Sequence, residues 1–231
     1  MGKLGLGYGS EWHMLRFLGR HRQHLTEKVL AEIGGSALEW RDFQFTGSLD
    51  KSHGDGELKG LEFLTKDSKA HTAWASWWPT SGNVQNWDAV ARLTTNGAEE
   101  WLLVEAKGNL EELTSSCGAK PALAGGGRDL IELRMADTQA AMGVVGVAPS
   151  AWLVKDYQYA NRLAMLHFLT TQSISARLLL IYFTGDVTQG RFCPANRGEW
   201  DVALKAQKAR LGLTGSSTLE SRIHELFLAV A

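Results

Sequence analysis

Apolar positions recur every three or four residues over 10–33, where Leu15, Leu18, Leu25, Val29 and Ile33 fall on one stripe of a helical wheel. The pattern predicts an N-terminal helix with Ser10 as its N-cap and Gly34-Gly35 as its stop. Two apolar runs then flank Thr95-Asn96-Gly97-Ala98, and Asn-Gly in that setting predicts a β-hairpin, because both residues accept the positive φ of a type I′ turn. Earlier strands are expected over 58–65 and 38–45, with only a loop over 47–56. Downstream, Leu130, Leu133, Ala136 and Ala140 predict a helix over 128–142. A further helix is expected over 151–172, with Leu153, Tyr157, Ala160, Ala164 and Phe168 as its buried stripe. The run Leu178-Leu179-Leu180-Ile181-Tyr182-Phe183 is apolar throughout, as expected of a central strand in a sheet covered on both faces. Residues 198–211 are expected to be helical, and 223–230 to be a strand or a helix.

If Asn96 and Gly97 form the two-residue loop, Thr95 pairs with Ala98, and counting back places Asp88 opposite Glu105. Facing side chains of such a pair have Cβ atoms roughly 4.5–5.5 Å apart, where like charges repel. The two carboxylates therefore need a cation or a shared proton. Strand alternation puts Asp88, Val90, Trp101, Leu103, Glu105 and Lys107 on one face, and Ala89, Ala91, Leu93, Leu102, Val104 and Ala106 on the other. Lys107 thus lies beside the acids. Two carboxylates suit Mg²⁺ or Mn²⁺, and a nearby lysine suits a water nucleophile or a developing negative charge. The plainer alternative is a solvated hairpin whose lysine is a surface ion-pair partner.

Glu11 falls in the middle of the apolar stripe of the first helix and is expected to face the core, with a metal, a lysine or Arg22 as its partner. The alternative is a frayed first turn in which it merely favours the helix dipole.

These residues, in this order over about 10–185, resemble the PD-(D/E)xK, or restriction-endonuclease-like, nuclease superfamily. The resemblance implies an α/β fold with an αβββαβ core, a mixed central sheet flanked by helices. It implies Asp88, Glu105, the Ala106 carbonyl and Glu11 as ligands of Mg²⁺ or Mn²⁺, and Lys107 as the catalytic lysine. Some members carry a polar residue on the helix after the Glu-x-Lys strand; Gln158 is similar to that element, with Asn161 as second choice. One departure is visible, in that Trp87 stands where the motif has proline. The function implied is metal-dependent hydrolysis of phosphodiester bonds, of DNA in the first instance. The alternatives are a catalytically inactive nuclease-fold module that binds nucleic acid or protein, and a metal-dependent hydrolase of another substrate.

Composition narrows the picture. A chain of 231 residues, 44% hydrophobic and 21% charged, can bury one sizeable core, so a single domain is expected over 1–231, with its core over 10–185 and a C-terminal extension over 186–231. No apolar run reaches membrane-spanning length, and Lys3 among glycines is unlike a signal peptide, so a cytoplasmic protein is expected. A net charge of −1 excludes coating of nucleic acid by bulk electrostatics, so contact with it must be local. Between His13 and His24 the chain carries Arg16, Arg20 and Arg22 and no acid, which offers either a phosphate-contacting helix or a solvated face. His21 and His24 lack a third ligand for zinc. Cys117 and Cys193 have no metal or disulfide spacing, so free thiols are expected. Trp74, Trp77 and Trp78, three of nine tryptophans, cluster before Pro79 and are expected in core packing, base stacking being the alternative. The segment from Gly108 to Gly127 is polar and glycine-rich, as lids beside active sites often are.

Overall fold

In the computed structural model, residues 9–41, 57–79, 84–120 and 127–230 are described. The hairpin forms as its turn chemistry requires. Asn96 and Gly97 have φ of 52° and 79°, and strands β4 (Ala89–Thr95) and β5 (Ala98–Lys107) pair antiparallel from Thr95↔Ala98 to Ala89↔Val104. With β1 (Ala37–Trp40), β6 (Ala176–Thr184) and β7 (Ile223–Ala229) they build a five-stranded mixed sheet of order β1-β4-β5-β6-β7. β1 runs antiparallel to β4, whereas β5, β6 and β7 are mutually parallel. The short strands β2 (Leu58–Lys59) and β3 (Asn86–Trp87) form a separate ribbon.

Six helices accompany the sheet among the described residues: α1 (Gly9–Arg20), α2 (Arg22–Ile33), α3 (Lys69–Trp77), α4 (Arg128–Met142), α5 (Tyr157–Thr171) and α6 (Arg197–Leu211). The expected alternation divides the core in two. Ala91, Leu102, Val104, Leu179 and Phe183 meet α1 and α2 on one face. Val90, Leu103, Leu178 and Leu180 meet α3 to α6 on the other. The parallel steps from β5 to β6 and from β6 to β7 are bridged by helices, as parallel pairing demands. Residues past 186 add α6 and the edge strand β7, settling the strand-or-helix alternative for 223–230.

Several expectations are corrected. The N-terminal helix is two helices, broken at His21, which has φ −120° and ψ 29°. The break re-phases the wheel, so α1 buries His13, Met14, Phe17 and Leu18, while Leu15 is half-buried and Glu11 is exposed instead of facing the core. Arg22, one expected partner of Glu11, donates Nε to the Leu18 carbonyl at 2.7 Å. The strand expected over 58–65 is only two residues long, and half of 38–45 and all of 47–56 lie outside the described residues. α4 buries Ile131, Met135, Thr138, Gln139 and Met142, leaving Leu133 52% exposed. The stripe expected from Leu130, Leu133, Ala136 and Ala140 lies on the opposite side of the helix, and packing buries the side of Ile131, Met135 and Met142 instead. The helix expected from 151 begins later, at Tyr157, after a 3₁₀ turn over Pro149–Leu153. Asp156 separates them, held by Arg210 at 2.7 Å and by Gln207 at 3.1 Å. α3, capped by Ser68, was not expected; it places Trp74 and Trp78 in the core, with Trp74 and Trp77 against Phe168, so that cluster packs rather than faces solvent.

The segment after β5 is anchored at several points. Asn109 caps a 3₁₀ turn over Leu110–Leu113, Ser115 N–H donates to Lys155 O at 2.8 Å, and Cys117 N–H to Leu153 O at 2.8 Å. Residues 121–126 lie outside the described set. Cys117 and Cys193 are both free thiols. Among the described residues no helix is long and apolar enough to cross a membrane.

Candidate active site

The site lies where β5 and β6 end, at the carboxyl edge that open α/β sheets use for ligands. Three strands meet there, since β5 has an antiparallel neighbour on one side and a parallel one on the other. The regular pairing of the hairpin stops at Ala89, and Asp88 departs from it: its N–H donates to Val104 O at 3.1 Å, and its Oδ2 accepts the Ala106 N–H at 2.6 Å. That second bond replaces a ladder bond and lays the carboxylate alongside Glu105. A strand residue sends its N–H and C=O to the same edge, so the Ala106 carbonyl is turned to the Asp88 side as well.

Glu105 is buried and held at both oxygens. Lys107 Nζ lies 2.6 Å from Oε1, and Arg162 reaches Oε2 with Nε at 2.8 Å and Nη2 at 2.7 Å. Arg162 is fixed in turn by the Asn86 carbonyl at 2.5 Å and by the Trp87 ring, whose centroid lies 4.7 Å from Cζ. Lys107 has a second acceptor, Gln158 Oε1 at 2.7 Å. A cavity of about 20 Å³, room for one water, adjoins Glu105, Lys107, Gln158 and Arg162.

The electrostatics separate the two acids. Burial works to raise the pKa of Glu105, but Arg162 and Lys107 outweigh it and hold the carboxyl below the usual range. Burial and the adjacent Glu105 charge push Asp88 up to about 8, against the opposing pull of Lys107 and the Ala106 N–H. Carboxyls driven apart in this way are a mark of functional sites, though structural ion-pair networks produce it too.

Of the residues expected in the site, Asp88, Glu105, Lys107, Gln158 and the Ala106 backbone are brought together. Glu11 is not bonded to them: it is exposed in the first turn of α1, where partial burial and Glu57 raise its pKa, and Glu57 also acts on Asp88. Asn161 is buried but its Oδ1 has no partner, and Gln158 takes the position beside the lysine. Arg162 was missed in sequence. Its signal was there to read: between Tyr157 and Thr171 it is the one Arg, Lys, Asp or Glu, in a helix otherwise made for the core. Also unexpected is Asp186, which accepts Gly9 N–H at 3.1 Å and lies 3.2 Å from His13 Nε2, fixing the start of α1 against the end of β6.

Among the described residues no three His, Cys, Asp or Glu side chains converge as a metal-binding group. The donor set nevertheless fits a divalent ion. Burial, with the adjacent Glu105 charge, raises the pKa of Asp88 and so favours a bound proton or cation there, no described residue is bonded to Asp88 Oδ1, and the Ala106 carbonyl is turned the same way. An ion would take over one of the contacts of Glu105. Lys107 is the partner able to yield, because Gln158 remains to hold it. No family model, no curated protein and no solved structure matches this chain.

Proposed function

We propose that this protein is a metal-dependent nuclease that hydrolyses phosphodiester bonds of nucleic acid, DNA in the first instance. The observation that carries the reading is the meeting of Asp88, Glu105 and Lys107 at one strand end, with the two carboxyls driven to opposite sides of their usual range. Asp88, Glu105 and the Ala106 carbonyl would hold Mg²⁺ or Mn²⁺, with Glu11 at the rim acting through water. A bound ion would supply Lewis acidity at the phosphate and lower the pKa of a coordinated water.

The chain's own groups do the rest. Arg162 keeps Glu105 ionised and in one orientation. Gln158 holds the Lys107 ammonium as it leaves Glu105, so that the lysine meets the attacking water or the charge growing on the phosphate oxygens.

The test is cleavage of labelled single-stranded, duplex and branched DNA with Mn²⁺, alongside divalent-ion titration of thermal stability. Lys107→Ala should keep the metal-induced stabilisation and lose cleavage by a factor of about 10²–10⁴. Asp88→Ala should lose both. Cleavage that survives in Asp88→Ala refutes the assignment.

A second reading has its own support, because both oxygens of Glu105 are already occupied by Arg162 and Lys107. A closed network of that kind suits a catalytically inactive module that uses the same sheet to bind nucleic acid or protein. Wild-type stability that ignores both Mg²⁺ and Mn²⁺ favours it.

A further inference from the structure

Phe192 is 53% exposed, yet its backbone is held from both sides. Its carbonyl accepts the Leu110 N–H at 3.0 Å, and its own N–H faces both oxygens of Glu111 at 3.3 Å. The turn that holds it continues directly from β5. Leu110 follows Lys107 by three residues, and Leu113, at the other end of the turn, lines the same small cavity as Glu105, Lys107 and Gln158.

Trp12, 36% exposed, belongs to the first turn of α1. The first turn of that helix lies so close to Gly108 that a Cβ there would come within 2.9 Å of Ser10 N, so only glycine lets α1 reach this point. Among the described residues the other large exposed apolar side chains are aliphatic: Leu133, Val145, Val154, Val187 and Val202. The backbone turns that carry the exposed Phe and Trp thus both lie beside the residues that follow β5. A ring on a fixed backbone and left in water is suited to stacking, since it loses little conformational freedom when a partner arrives.

Three acids near this rim are turned onto backbone N–H groups: Glu111 onto Phe192, Glu112 onto Gly108, and Asp186 onto Gly9. Arg191, next to Phe192, is exposed. Bases in a duplex hide their faces in the stack, whereas unpaired bases offer them.

We propose that Phe192 and Trp12 stack on unpaired bases, so that the strand delivered to the carboxylate site is single-stranded nucleic acid. The location of the partner rests on the nuclease reading; its dependence on the two rings does not.

The experiment measures fluorescence anisotropy of labelled oligothymidylate, oligouridylate and a blunt duplex in EDTA, with the full chain. Wild type should bind either single strand more tightly than the duplex. Phe192→Ala and Trp12→Ala should each weaken single-strand binding about tenfold, with duplex binding unchanged and Phe192→Trp close to wild type. Equal binding by the alanine variants and wild type, preference for the duplex, or no binding of any oligonucleotide overturns the proposal. If ring-dependent binding is found and no oligonucleotide is cleaved in Mn²⁺, the nuclease reading fails while the stacking surface stands. Cleavage without strand preference gives the converse.

Discussion

Strand β5 carries a buried glutamate near each end, and the two environments differ in one respect that separates support from chemistry. Glu100 is held by Arg177 at 2.8 Å, Arg222 at 3.0 Å and Ser175 at 2.9 Å, on the face that meets α2. Glu105, on the opposite face, is held by Arg162 and Lys107. Both carboxyls are kept below their usual pKa: burial acts to raise each, and cationic partners prevail. Only Glu105 has a second acid beside it, Asp88, whose pKa burial and the Glu105 charge push up to about 8. A buried acid enclosed by cations is a strut. A buried pair of acids in which burial keeps a proton on one member is a place where a cation can take that proton's part.

The largest effects should come from taking a partner away. Arg162→Ala leaves Glu105, buried to 5% side-chain exposure, with Lys107 alone, and should cost about 3–5 kcal/mol in chemical unfolding. Glu100→Gln leaves Arg177 and Arg222 short of one carboxylate, but Arg222 is more than a third exposed, so the cost should be about 1–2 kcal/mol. The two should also differ in kind. Below its melting range Glu100→Gln should cleave at the wild-type rate per folded molecule, whereas folded Arg162→Ala should not. Loss of cleavage in folded Glu100→Gln would erase the distinction between the two ends.

That distinction was half legible in the sequence. The Asn-Gly turn fixes the register, and the register fixes the faces, so Asp88, Glu105 and Lys107 were placed by local chemistry acting over twenty residues. Gln158 was singled out by the resemblance to the nuclease helix. What stayed hidden was tertiary. Nothing near Glu105 in sequence announces Arg162, which arrives from α5, fifty-seven positions away. The break at His21 turned Glu11 outward because two buried stripes, each regular, do not share one phase. The choice among the sides of α4 was made by its neighbours, not by its composition. Hairpins can be read because their partners are close in the chain; ion pairs between layers cannot.

pH should pull the two ends in opposite directions. Asp88 binds its proton more tightly in the folded protein, so its contribution to stability is complete below the ordinary aspartate pKa and is lost as pH rises through about 8. Glu100 has a lowered pKa, so its contribution is present above the ordinary glutamate value and is lost as pH falls through the lowered one. Metal-free Asp88→Asn should therefore be the more stable protein at pH 9, by on the order of 2 kcal/mol, with little advantage at pH 4. Glu100→Gln should flatten the acid limb instead. Mg²⁺ should stabilise wild type more at pH 9 than at pH 6, because the ion replaces the proton Asp88 has given up. An Asp88→Asn curve parallel to wild type across this range would remove the raised pKa of Asp88 on which the comparison stands.

The smallest and sharpest contrast lies in the neutral partner at each end. Ser175 gives Glu100 one hydrogen bond among several charged ones, so Ser175→Ala should cost about 1 kcal/mol of stability and leave cleavage alone. Gln158 makes its contact with Lys107 rather than with the acid. Removing it leaves Glu105 as the one described acceptor of the ammonium, so Gln158→Ala should bind the lysine more firmly to the carboxylate that a metal must use. The measurements are kcat and the Mn²⁺ midpoint. Cleavage should fall about tenfold, and the midpoint should move to higher concentration by about two- to fivefold, while thermal stability without metal barely changes. Gln158→Glu should divide the effects, since a carboxylate there competes for Lys107 and frees Glu105, bringing the metal midpoint back toward wild type. A fall in cleavage with an unmoved midpoint in both variants would mean that Lys107 never leaves Glu105, and that the two ends of β5 are struts alike.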